Sequence, residues 1–195
     1  MEAAETLGRR ERKKRATRAA LSDAALDLFL KKGYDNVTVA EVAEAADTAV
    51  TTLFKHFPGG KETLVFGGAE DRAAAIAAAI RERPEGTRPL DALQEFIAVR
   101  GAFETDPDRN MKRRLRLIAA TPVLSAYAMR RWVECEGALA EVLAAEVDGV
   151  DAGDVTVRAV ARYALEVPSL ASLEADPRAA LTAAFDRLRA GWPEF

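Results

Sequence analysis

A chain of 195 residues with an apolar share of 49% can bury a real core, as one large domain or two small ones. No apolar run approaches the roughly 18 residues of a membrane span, the charged N-terminus lacks the apolar stretch of a secretory signal, and a lone cysteine, Cys135, excludes an intrachain disulfide, so a cytoplasmic protein with no membrane partner is expected. The net charge of −3 excludes a bulk nucleic-acid binder, but it is unevenly placed: residues 9–18 (RRERKKRATR) hold seven Lys/Arg against Glu11, whereas residues 62–195 hold 17 Lys/Arg and 22 Asp/Glu. A basic arm on an acidic body points to a polyanion at one end only.

In chain order almost every segment reads as helix, so the fold class is all-α. From about residue 12 a helix carries Leu21, Ala25, Leu28 and Phe29 on one stripe and ends at Gly33, the residue best suited to left-handed φ. Thr38 and Glu41 form a capping box for the next helix, with Val37 and Val42 at the staple positions. Asp47-Thr48 is the break, because Asp tolerates positive φ. A short helix over about 49–56 follows and ends at Pro58-Gly59-Gly60. Longer helices are then expected over about 61–82, 90–104, 107–119 (Asp106 as cap, Pro107 first) and 122–146, the last with Ala128, Trp132, Cys135, Leu139 and Val142 spaced 4-3-4-3. Two more close the chain, the second starting at Asp176-Pro177. Gly67-Gly68 inside the 61–82 helix need a reason, close packing or a soft point for bending.

Two short helices joined by a tight turn behind a longer one is the helix-turn-helix arrangement. The second short helix fits the major groove and presents Thr48, Val50, Thr51, Thr52 and Lys55 to base edges or phosphates. Thr38, His56 and Lys61 are placed to meet phosphates. Arg12, Lys13, Lys14 and Arg15 supply sequence-independent attraction. Lone His56 has no Cys, His or Asp companions for a metal, and no metal or cofactor is expected.

The stretch Leu21–Leu64 (LSDAALDLFLKKGYDNVTVAEVAEAADTAVTTLFKHFPGGKETL) resembles the DNA-binding domain of the TetR family of bacterial regulators. The resemblance lies in Ala-x-x-Leu-Phe and Gly-Tyr, in Thr-Val-x-x-Val-Ala, and in Leu-Phe-x-His-Phe-Pro before Lys-Glu. It implies a homodimer on a palindromic double-stranded operator, released by a small molecule. The chain departs from the family in having Asp47 for the turn glycine, Phe54 for the recognition-helix tyrosine, and one extra residue between Phe57 and Lys61.

These readings divide the chain into residues 1–60, a three-helix DNA-binding domain with a basic arm, and residues 61–195, a larger helical ligand-binding and dimerisation domain. Phe96, Arg100, Phe103, Met111, Tyr127, Met129, Trp132 and Tyr163 are candidates for the pocket, or else plain core. Val157, Ala161 and Ala164 of the penultimate helix and Leu181, Ala184, Phe185 and Leu188 of the last are candidates for a four-helix dimer interface, or for intrachain core. Cys135 reads as an inert buried thiol. The absence of a phosphate loop, nucleophile elbow or metal spacing argues against an enzyme. The competing reading is an adaptor of the same fold that has lost operator binding and binds another protein.

Overall fold

The computed structural model describes residues 8–66, 71–193 and 195. The described residues are helices and turns, and they divide into two compact units, residues 8–66 and 71–195.

In the first unit, α1 (Arg9–Lys32) buries Leu21, Ala25, Leu26 and Phe29 along one stripe. The basic run is the first turns of this helix rather than an extended arm. Gly33 ends it at φ +85°, its N–H bonding the Phe29 carbonyl at 3.0 Å. α2 (Val39–Ala45) has the full capping box: the Glu41 N–H donates to Thr38 Oγ1 (3.2 Å), and the Thr38 N–H donates to Glu41 Oε2 (2.8 Å). Val37 and Val42 are both buried beside it. The turn passes through Asp47 at φ +49° and leads into α3 (Val50–His56). α4 (Lys61–Phe66) packs back on α1, burying Leu64 and Val65. The compact unit therefore runs past residue 60.

The second unit holds α5 (Arg72–Arg81), α6 (Pro89–Ala98), a 3-10 turn (Gly101–Phe103), α7 (Arg109–Ala120), α8 (Pro122–Val133), α9 (Glu136–Ala144), α10 (Val155–Ala171) and α11 (Pro177–Gly191). Its core gathers Ile76, Ile80, Leu93, Ile97, Leu139, Leu143, Val160, Leu165, Phe185 and Phe195, all nearly fully buried.

Four helix expectations are corrected. The helix expected over 61–82 restarts at Asp71, whose carboxylate accepts the Ala74 N–H at 3.0 Å and opens α5. Gly67 and Gly68 lie outside the described residues, and the bending question with them. The helix over 90–104 stops at Ala98 and tightens to a 3-10 turn. The cap before α7 is Asp108 rather than Asp106, because the Asp108 carboxylate takes the Met111 N–H at 2.7 Å. The helix over 122–146 breaks at Glu134-Cys135, yet Cys135, Leu139 and Val142 stay on one buried stripe. Asp176 and Pro177 open α11 as cap and first residue.

Candidate nucleic-acid interface

The seven residues of α3 carry two opposed faces. Leu53 is fully buried, and Phe57 just beyond the helix joins it. Stepping about 100° per residue, Val50, Phe54, Thr51 and Lys55 follow one another across the opposite, exposed side. Thr52 and His56 flank it, half-buried. Thr48 sits in the turn, half-buried, its N–H donating to the Ala43 carbonyl at 2.9 Å. Of the candidate residues Val50, Thr51 and Lys55 thus share one exposed surface, with Thr52 at its margin and Thr48 in the turn before it.

The supporting residues divide. Arg12, Lys13, Lys14 and Arg15 are all exposed, but consecutive residues of a helix point to different sides, so the four cannot line one phosphate row. Lys14 lies one turn before Arg18, and these two cations act on His56. The Arg18 guanidinium stands 4.8 Å from the Phe57 ring centre. Burial first, then Arg18, then Lys14, pushes the His56 imidazole below its ordinary value, and its Nδ1 is buried without a hydrogen-bond partner. The two cations Lys14 and Arg18, with the His56 imidazole beside them in its neutral form, make a corner at the end of α3 that suits a phosphate oxygen. Arg18 escaped the sequence reading, although its spacing of four from Lys14 marks a shared face.

Thr38 is exposed, but its hydroxyl is committed to Glu41, accepting from the N–H and donating to Oε2 (3.0 Å). Lys61 lays its ammonium 4.2 Å from the Tyr34 ring centre and 5.6 Å from that of Phe29. Lys61 follows the Pro58-Gly59-Gly60 loop and is half-buried on these rings.

In the second unit a cavity of about 360 Å³ opens beside α7, α8 and the end of α10. Leu115, Ile118, Met129, Leu170 and Leu173 give it an apolar wall, and Ser125, Ser169 and Ser172 add hydroxyls. Ser125 and Ser172 donate to the Ile118 and Ser169 carbonyls, whereas Ser169 Oγ is buried with no partner. Of the eight expected pocket residues only Met129 lines this cavity. Phe96 and Phe103 are core, with the Arg100 guanidinium 3.5 Å from the Phe96 ring centre. Trp132 is packed on that core under Arg72 (4.2 Å), Tyr127 lies under Arg130 (5.0 Å), and Met111 is half-buried elsewhere on α7. Tyr163 is exposed beside Trp192, ring centres 6.2 Å apart. Aromatic residues at helical spacing went to packing, and the cavity took smaller residues that composition does not flag.

Two family models match this chain. One, described as bacterial regulatory proteins of the tetR family, covers residues 21–66. The other, the MftR C-terminal domain, covers residues 87–193, more than half of the sequence. The chain belongs to the TetR family. It is a DNA-binding transcriptional regulator. It is 39% identical over 153 residues to the HTH-type transcriptional regulator TcmR of Streptomyces glaucescens, an alignment covering 75% of this chain and 67% of that protein. It is 34% identical over 99 residues to the HTH-type transcriptional repressor KstR of Rhodococcus jostii, covering 50% of this chain and 43% of that protein. In fold it is similar to NalD, the secondary repressor of the MexAB-OprM multidrug efflux pump in Pseudomonas aeruginosa, with a TM-score of 0.56, 18% identity, and coverage of 92% of this chain and 97% of that one.

The tetR-family match begins at Leu21, where α1 first becomes buried, and spans α2, α3 and α4. In the TetR chain the faces of α10 and α11 correct the interface expectation. Val157, Ala161, Ala164, Leu181 and Phe185 are at most 1% exposed, so they close the unit's own core and leave nothing for a partner. Ala184 and Leu188 are half-buried against that core. Arg158 and Arg162 tie one flank of α10 to Glu136 of α9 (3.1 and 3.2 Å), and Arg189 and Thr182 tie one flank of α11 to Asp91 and Gln94 of α6 (2.9 and 3.2 Å). Among the exposed residues of these helices are Val155, Tyr163 and Leu170 on α10 and Ala179, Ala183 and Arg187 on α11. Among the described residues no three His, Cys, Asp or Glu side chains converge on a metal site, and no helix is long and apolar enough to cross a membrane.

Proposed function

We propose that this regulator is a repressor that binds a palindromic operator as a homodimer and leaves it when a small molecule binds. The first unit reads DNA, and the second holds the effector and the partner subunit. The observation that carries the reading is the exposed face of α3, where Thr51 and Lys55 stand clear of the core while the Lys14, Arg18 and His56 corner lies at the helix end. Threonine hydrogen-bonds base edges or phosphates, and the cations add a salt-dependent, sequence-independent attraction. That surface supports operator binding over the adaptor reading, because a protein-docking remnant has no need of a cationic rim.

The cavity on α7, α8 and α10 is the effector site in this reading, and its apolar wall with the unpartnered Ser169 hydroxyl suits a largely apolar, uncharged molecule. The exposed faces of α10 and α11 supply the dimer, and small Ala179 and Ala183 allow helices to approach closely.

The test is selection of bound sequences from random DNA by the purified protein, followed by titration of the recovered operator. Thr51→Ala weakens the operator by about 1–3 kcal/mol and random DNA far less. Neutralising Lys13 and Lys14 weakens both alike and flattens the salt dependence. Unchanged operator affinity in Thr51→Ala would refute the placement of α3.

A further inference from the structure

We propose that Val50 and Phe54 form an apolar reading edge on α3 that recognises the 5-methyl groups of thymines in the operator. The inference rests on the operator-binding reading and names the chemistry it reads. Val50 and Phe54 are 37% and 45% exposed, one helical turn apart, on a helix whose other side is the fully buried Leu53. Neither is needed to close the core, which Leu53 and Phe57 complete.

Their neighbours fix which way the edge faces. The exposed side of α3 runs from Val50 and Phe54 through Thr51 to Lys55, a change from apolar to cationic across about 140° of helix surface. Lys55 at one margin is the group that meets a phosphate. The apolar margin has nothing to offer one: Phe54 carries no hydroxyl, and an apolar ring against a phosphate would strip its water with no bond in return. With the cationic margin at the backbone, the apolar margin comes to lie over base edges. On the floor of the major groove the apolar feature of a base is the thymine methyl, and phenylalanine and other apolar side chains are its natural contacts. Thr51, between the margins, serves both with its hydroxyl and its methyl.

The experiment uses the full-length protein and the operator recovered by selection, labelled for fluorescence anisotropy. Each thymine is replaced in turn by deoxyuridine, symmetrically in both half-sites, which deletes the methyl and leaves every hydrogen-bonding group. One or two positions per half-site are each expected to weaken wild-type binding roughly ten- to twentyfold, the loss of two buried methyl contacts, one in each half-site. Phe54→Ala binds more weakly and loses the response to deoxyuridine at its own position, while Phe54→Tyr keeps the response. Val50→Ala does the same at the neighbouring position. Selection that yields no preferred sequence overturns operator reading itself. A preferred sequence without thymine, or one bound equally with deoxyuridine throughout, overturns the methyl reading alone. Phe54→Ala that weakens binding yet keeps the full deoxyuridine response assigns the ring to another contact, such as a protein partner, and also overturns it. The wild-type deoxyuridine series decides the matter even if Phe54→Ala fails to fold.

Discussion

Ser22 Oγ donates a 2.7 Å hydrogen bond to the carbonyl of Leu64, joining the middle of α1 to α4 across 42 residues of sequence. Ser22 is the buried polar residue among the described residues of the first unit, and its bond supplies a donor to a carbonyl of α4. A buried hydrogen-bonded group that loses its partner is costly.

Ser22→Ala keeps the volume and removes the donor. It is expected to destabilise the protein by about 1–3 kcal/mol, read as a lower urea midpoint with an unchanged slope. Ser22→Thr restores the donor and recovers part of the loss. An unchanged midpoint for Ser22→Ala would show that the Leu64 carbonyl finds another partner.

Asp47 holds the turn at φ +49°, a region L side chains enter at a cost of roughly 1–2 kcal/mol and glycine enters freely. Glycine gives back part of that gain through the larger freedom of its unfolded chain. Asp47→Gly is therefore expected to stabilise by about 0.5–1 kcal/mol, a rise in thermal midpoint with no change in operator affinity. A fall in the midpoint would mean that the Asp47 side chain holds the turn.

That turn also shows what the sequence disclosed. Asp47, the Thr38–Glu41 box and the Asp176-Pro177 start were legible because each depends on residues within four positions of one another. The stripes of α10 and α11 were legible as apolar faces, but a stripe does not say whether its own chain or another covers it. Leu181 and Phe185 went inward. Of the cavity only Met129 was legible, for a related reason: the rest of its lining is mostly alanines, serines, leucines and an isoleucine that packing alone brings together. Arg18 was missed because its place beside Phe57 and His56 depends on packing between α1 and the end of α3.

Two groups contribute to the acid side of the stability profile, Glu41 only modestly because it lies open to solvent. The Lys32 ammonium, 2.7 Å from Glu41, and then the Thr38 N–H and hydroxyl hold the Glu41 carboxyl down to about 2 from an ordinary 4.5. A folded value below the unfolded one gives stability that is full above pH 4.5 and is lost as pH falls toward 2. His56 is also lowered, from 6.5, by burial and by Arg18 and Lys14, so its contribution is full above pH 6.5 and begins to fade below it. Urea midpoints against pH are expected to fall in two windows. Glu41→Gln flattens the lower one, and His56→Gln the upper. A wild-type midpoint constant from pH 7.5 to 5.5 would contradict the assignment for His56.

The dimer face is separable from the core by two kinds of charge insertion on the same helices. Leu181 is 1% exposed inside the second unit, so Leu181→Glu buries a carboxylate without a partner and costs well over 3 kcal/mol, enough to abolish folding. Tyr163 is 53% exposed beside Trp192 and Ala183 lies open on α11, so Tyr163→Glu with Ala183→Glu costs about 0.5–1.5 kcal/mol, mainly the ring contact, and leaves the subunit folded. Two such faces related by a two-fold axis set four carboxylates against one another across the interface. The double variant is therefore expected to keep its helical circular dichroism, to sediment as a monomer, and to bind one half-site weakly where the wild type binds both. A subunit that folds with Leu181→Glu would mean that Leu181 faces a partner after all. A double variant that remains a tight dimer would move the interface off these helices.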